Sequence, residues 1–320
     1  MTSLFESTDN DNILLLQPRL TDDDPGVRRI ALIELADLEE PQGLSWLVDR
    51  LGRDPSAEVR AEAARLLEAW EDAAVVEALC RALTDPSPTV QSAAAQSLSL
   101  LKSEAAGRVI LPWVAHGDVS VRVAAFRALR EMRLADAAPA AIAALADSDA
   151  GVRREAVGVL GWLKQLDALP ALARLASDDP DSEVRRAATG ALGLASDPQV
   201  LPALCRALRD PIWSVREEAA TTLGKVGHSE AGPALIDALG DDYWQVRLRA
   251  TRSLGRLRYA PALQPLIDTL GHRISNLRKE AALALGELAD RNAIPALQAA
   301  QDDGDPEVRK SVRIALEQLR

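Results

Sequence analysis

Aromatic residues make up only 3% of this 320-residue chain, although 48% of it is hydrophobic. The apolar content is therefore nearly all Ala, Leu and Val, which suits close-packed helices better than sheets. Histidine is scarcer still, with three in all, and there is no Cys-x-x-Cys, no repeated His-x-x-His and no Gly-rich phosphate loop. Little material remains for a metal site or a nucleophilic triad, so neither catalysis nor a cofactor is expected. No stretch approaches 18 uncharged apolar residues, and the opening MTSLFESTDNDN lacks a basic region followed by an apolar one. Neither a membrane helix nor a secretory signal is expected, and the default expectation is a soluble cytoplasmic protein.

Positive charge is also in deficit. The 37 basic residues face 48 acidic ones, for a formal net charge of −11. That is the wrong sign for a chain whose main task is to neutralise phosphates, which argues against nucleic acid as the partner. The two cysteines, Cys80 and Cys205, occur in the related contexts ALCRALTDP and ALCRALRDP, in the slot that Ile142, Ile236 and Ile267 fill elsewhere. Both read as small core hydrophobes. They lie four repeats apart, roughly 40 Å if adjacent helices pack about 10 Å apart, too far to bridge.

What the chain does have is a period. Aligned on a Val-Arg pair, the anchors are Val27, Val59, Val90, Val121, Val152, Val184, Val215, Val246, Leu277 and Val308, spaced 31 or 32 residues apart. The next residue is Arg in nine repeats and Gln91 in the other; Ala stands at anchor +4 in nine, and Leu at +8 in all ten. Positions 0, +4, +8 and +11 fall within about 80° on a helix, forming one apolar stripe that marks a second helix, B. Segments such as LPALCRAL form a shorter helix A, often opened by a proline (Pro139, Pro170, Pro202, Pro233, Pro295), where the missing N–H costs nothing. An Asp-Pro turn joins A to B, with Asp at −5 in eight repeats, placed to accept from backbone N–H groups and from the anchor Arg. The Gly of the Leu-Gly pair in repeats 5 to 9 (Gly161, Gly193, Gly224, Gly255, Gly286) suggests close helix packing. Residues 1–12 read as a tail and 13–320 as a single stack of hairpins that bury their faces on one another.

Asp-Pro, Val-Arg, Ala-Ala and Leu-Gly at this spacing resemble the short HEAT-like repeats named after phycobilisome lyases. The resemblance implies an all-α, right-handed α-solenoid of about ten 31-residue hairpins, with B helices lining a concave, partner-binding surface. Deoxyhypusine hydroxylase, an iron-dependent HEAT-repeat enzyme, needs several His-Glu pairs, whereas His116, His228 and His272 precede Gly117, Ser229 and Arg273. That activity is excluded. HEAT-like DNA glycosylases use a basic groove, which an acidic and highly regular chain does not suggest.

Residues left over after the repeat slots are filled define the candidate site. At −2, where most repeats carry small residues or Pro, repeats 7 and 8 carry Trp213 and Trp244, with Tyr243 beside the second. Equivalent slots would place the indoles about 10 Å apart. The B helix of repeat 8, RLRATRSLGRLR, contains no acid, and Arg249, Arg252 and Arg256 lie within about 60° of each other, away from the apolar stripe. In repeat 9, His272 replaces the turn Asp, which leaves Arg278 beside Lys279 without its expected partner; His116 makes the same replacement in repeat 4. Both histidines read as turn variants. Trp162, at +10, joins the same face, while Trp46, Trp70, Trp113 and Phe126 read as packing residues. The expected function is a non-enzymatic scaffold that binds an acidic protein segment over repeats 7–9. A tetrapyrrole, bilin or haem, held as by a bilin lyase-like chaperone, is the alternative occupant.

Overall fold

The structure, a computed structural model, describes residues 10–194 and 197–320. Of the expected tail, residues 1–9 lie outside the described residues, and the first helix opens at Asp11, capped by the Asn10 side chain. Among the described residues the chain is all-α: twenty α-helices, interspersed with short 3-10 turns. They form the ten expected hairpins. Two compact units contain them, Met1–Leu163 with repeats 1–5 and Lys164–Arg320 with repeats 6–10.

Within each unit a B helix packs against its own A helix and against the B helices of neighbouring repeats. The second unit shows the pattern clearly, with B helices Ser182–Leu192, Trp213–Val226, Trp244–Arg256, Ser275–Leu288 and Pro306–Gln318 side by side. The apolar stripe explains the stacking. Every anchor from Val59 to Val308 is buried, as is every +4 residue from Ala31 to Val312. Removing that stripe from water is the main gain of stacking, since no lone hairpin could cover it.

The Leu-Gly glycines set the distance between B helices. A Cβ at Gly255 would lie 2.6 Å from the Ala284 Cα of the next B helix, and one at Gly224 would lie 3.0 Å from the Ser253 Cα. Ser253 uses the closeness, its Oγ donating to the Ala220 carbonyl at 2.7 Å. At the far end of the B helices, position +12 takes a left-handed conformation in six repeats, at Glu39, Arg133, Lys164, Gly227, Arg258 and Ala289. Only one of these is the glycine that such a cap favours.

Candidate functional site

The turn between A and B is built the same way in all ten repeats. The long side chain at +1 reaches back and donates to the backbone carbonyl at −5, from Arg28 to Asp22 through Gln91 to Asp85 and on to Arg309 to Asp303. The side chain at −5 accepts from the N–H two residues later, as Asp241 does from Tyr243 at 2.9 Å. Both histidines perform that turn role through Nδ1, His116 accepting from Asp118 N–H and His272 from Ile274 N–H.

The rest of each guanidinium points forward to the following repeat. Nε and Nη2 grip the Asp of the next turn with two bonds in Arg28–Asp54, Arg60–Asp85, Arg122–Asp147, Arg185–Asp210, Arg216–Asp241 and Arg278–Asp303. This corrects the expectation for repeat 9: Arg278 is paired, with Asp303. The residue facing His272 is Arg247. At Asp241 burial acts to raise the carboxyl pKa, but the Arg216 fork, the Tyr243 N–H and the charges of Arg216 and Arg247 outweigh it and hold the group below the ordinary value.

Three of the four aromatic candidates, Trp213, Tyr243 and Trp244, lie on this turn edge. Trp213 stacks on Tyr243, with centroids 5.5 Å apart and planes 11° off parallel, so its ring partner is the tyrosine and not Trp244. Arg216 lies over the same tyrosine at 5.6 Å. Tyr243 is still 44% exposed and Trp244 38%. Trp162, in the first unit, is 45% exposed beneath the Arg133 guanidinium at 5.7 Å.

The expected unopposed stripe of arginines is largely neutralised. Arg249 donates to Glu217 at 3.0 Å, and Arg252 holds Glu280 at 2.6 and 2.7 Å. The acids sit on the flanking B helices, so inspection of one helix misses them. In the first unit, Arg127 meets the buried Glu155 with the same spacing of 28 residues, joined there by Arg130 and Arg154. Of the named cations, Arg256 is exposed and Lys279 half-buried, and neither makes a hydrogen bond or ion pair with any described residue. Trp244 and Arg256 begin and end one helix, about 18 Å apart at 1.5 Å per residue.

Other sequence candidates take ordinary places. Trp46 and Phe126 are buried, and Trp113 stacks on His116 at 5.8 Å. Cys80 is buried, which pushes its thiol up to about 12, and Cys205 is half-buried. Among the described residues no three His, Cys, Asp or Glu side chains cluster as metal ligands, and no helix is long and apolar enough to cross a membrane. A groove of about 780 Å³ lies between the A helices of repeats 2 and 3, lined by Leu44, Val48, Val75 and Ala78 among others, and none of the candidate residues borders it.

The sequence matches the family model for HEAT repeats over residues 44–118, 107–193, 176–245 and 232–317. The chain belongs to the HEAT-repeat family. No curated protein matches it significantly. Among solved structures, this HEAT-repeat chain is similar to an engineered protein at 23% identity, covering 97% of this chain and 99% of that one, with a TM-score of 0.56. It is similar to Escherichia coli YibA at 22% identity, 83% and 98% coverage and a TM-score of 0.61. Kap95p, solved with RanGDP, superposes with a TM-score of 0.67 at 16% identity over 96% of this chain and 49% of its own. These likenesses establish the α-solenoid fold.

Proposed function

We propose that the protein is a cytoplasmic, non-enzymatic scaffold whose repeats 7–9 bind an acidic segment of another protein. Its 31-residue period supports a relation to the short repeats named after phycobilisome lyases. The observation that carries the reading is the turn edge of repeats 7 and 8, where Trp213 stacks on Tyr243 and the rings of Tyr243 and Trp244 are left in water. Large exposed aromatics of this kind are the residues enriched at binding hot spots. Arg256 and Lys279 supply cations not already consumed by internal pairs. The distance from Trp244 to Arg256 fits an extended peptide of about five or six residues at roughly 3.3 Å each.

Arg249 and Arg252 contribute by holding the surface in shape more than by contacting a partner, because their guanidinium groups are engaged by Glu217 and Glu280. The test is therefore Trp244→Ala combined with Arg256→Glu, positions that leave the internal pairs intact. The wild type should retain a defined partner that the double variant loses at unchanged thermal stability; equal retention sinks the assignment. Added haem or bilin separates the alternative occupant, since a shifted visible spectrum would favour the tetrapyrrole.

A further inference from the structure

Within each unit the Arg–Asp grips between successive turns are interrupted at one place, before His116 in the first and before His272 in the second, and the interruptions differ. Where His116 replaces the Asp, the residue facing it is Gln91 in place of Arg, so carboxylate and guanidinium are both missing and the turn is neutral. Where His272 replaces the Asp, Arg247 is retained. Its Nη1 still donates to the Asp241 carbonyl at 2.6 Å, but its Nε is buried with no hydrogen-bond partner. The only other guanidinium Nε in that condition among the described residues is that of Arg50, whose side chain is paired with Asp49 and Asp54. Arg247 makes no ion pair with any described residue.

A buried donor on a charged group costs more than a lost neutral hydrogen bond, so a retained guanidinium with an empty fork calls for an acceptor from outside. His272 cannot serve. Its Nδ1 is committed as acceptor to Ile274 N–H, which leaves the proton on Nε2 and makes the free edge of the ring another donor. Burial, and after it the charges of Arg247, Arg273 and Arg278, hold the imidazole below its ordinary pKa. In the six intact grips the same fork takes a carboxylate with both bonds between 2.6 and 3.2 Å, so the shape of the missing group is known. Tyr243 and Trp244 stand four and three residues before Arg247, at the same end of the helix.

We infer that the gap between Arg247 and His272 is a receptor for one Asp or Glu side chain of the partner segment, which completes from outside the grip that six other links complete from within. This rests on the proposed acidic partner and names its anchoring point. The test substitutes the missing group internally. His272→Asp preserves the turn, because Asp at this slot accepts the same N–H elsewhere, and it supplies Arg247 with a carboxylate.

With fluorescein-labelled hexaglutamate as the probe, wild type should bind, and both His272→Asp and Arg247→Gln should bind at least tenfold more weakly. His272→Asp should also unfold at a higher temperature than wild type, a gain that no mere loss of a contact would produce. Hexaglutamate bound equally by wild type and His272→Asp, or no rise in unfolding temperature, overturns the inference, while the broader reading stands or falls separately on Trp244 and Arg256. Displacement of the probe by acetate at equal carboxylate concentration would mean that an adventitious ion fills the gap, and would overturn it too.

Discussion

Arg252 and Glu280 face each other across adjacent B helices in a two-bond grip, with the carboxylate buried and the guanidinium half exposed. Removing the arginine leaves a buried carboxylate without its donors, whereas Arg256 on the same helix has no such partner. Arg252→Ala should cost about 1–3 kcal/mol, the range for a stranded buried acceptor. Arg256→Ala should stay within about 0.5 kcal/mol, as for other surface changes. Urea unfolding of the two variants decides it; equal midpoints would show that the grip contributes nothing.

Gly255 allows its helix to approach the next one backbone to backbone. Gly255→Ala gains about 1 kcal/mol of helix propensity but forces a methyl into Ala284, and overpacking of this kind costs about 1–3 kcal/mol. Net destabilisation is expected because the obstructing atom is main chain and cannot swing aside. Gly240→Ala, where an added Cβ meets nothing within 4 Å, is the control. Denaturation midpoints that fall equally for both would refute the close-approach argument.

Ala289 ends its helix at φ 59°, a conformation that costs a residue with a Cβ about 1–2 kcal/mol. Ala289→Gly relieves that strain at an entropic cost of about 0.5–1 kcal/mol, so a modest net stabilisation is expected. Gly227→Ala, the reverse change at the equivalent cap, should destabilise. Thermal melts of both should move in opposite directions.

Acid should dissolve the Arg–Asp grips. At Asp303 the Arg278 hydrogen bonds lower the pKa most, against opposing burial, and Asp54, Asp85, Asp147 and Asp241 are lowered as well. Carboxylates whose folded pKa is depressed add stability that is present above the ordinary value of 3.8 and lost as pH falls through the folded one. The unfolding midpoint should therefore drop steeply below about pH 4, by the linkage of protonation to folding, and Asp303→Asn should flatten that drop. A parallel pH profile for wild type and variant would contradict the role given to Asp303.

His272 adds a second window. Its folded pKa lies below the ordinary 6.5, so its contribution is complete above that value and declines as pH falls toward the folded one. The groups facing it are Arg247, Arg273 and Arg278, all cationic. His272→Asp should remove the decline between about pH 6.5 and 5, where histidine titrates. Unfolding midpoints of wild type and variant that run parallel through that interval would count against it.

The hairpins, the Asp-Pro turns and the buried places of Phe126 and Trp46 were legible in the spacing of residues, because each follows from the helical period within one repeat, and the recurring Leu-Gly pair marked the close contact between repeats. The ion pairs were not. Arg216 meets Asp241 25 residues later, Arg252 meets Glu280 28 later, and Arg249 meets Glu217 32 earlier, so each pair becomes visible only when neighbouring repeats are laid side by side. For the same reason Arg278 looked unpaired when Arg247 was the residue in question. The left-handed caps escaped notice because Glu39, Arg133, Lys164, Arg258 and Ala289 carry no compositional mark of that conformation.

The grips all point one way along the chain. In each of the six grips the arginine is completed by the turn of the repeat after it, so hairpins related by this stack are not interchangeable at their two sides. During synthesis each gripping arginine waits for the next 25 or 26 residues to arrive before its charge is matched, whereas each arriving aspartate finds its partner already in place. Growth from the amino end is thereby rewarded step by step, and the stack has an electrostatic polarity that its nearly identical repeats do not betray.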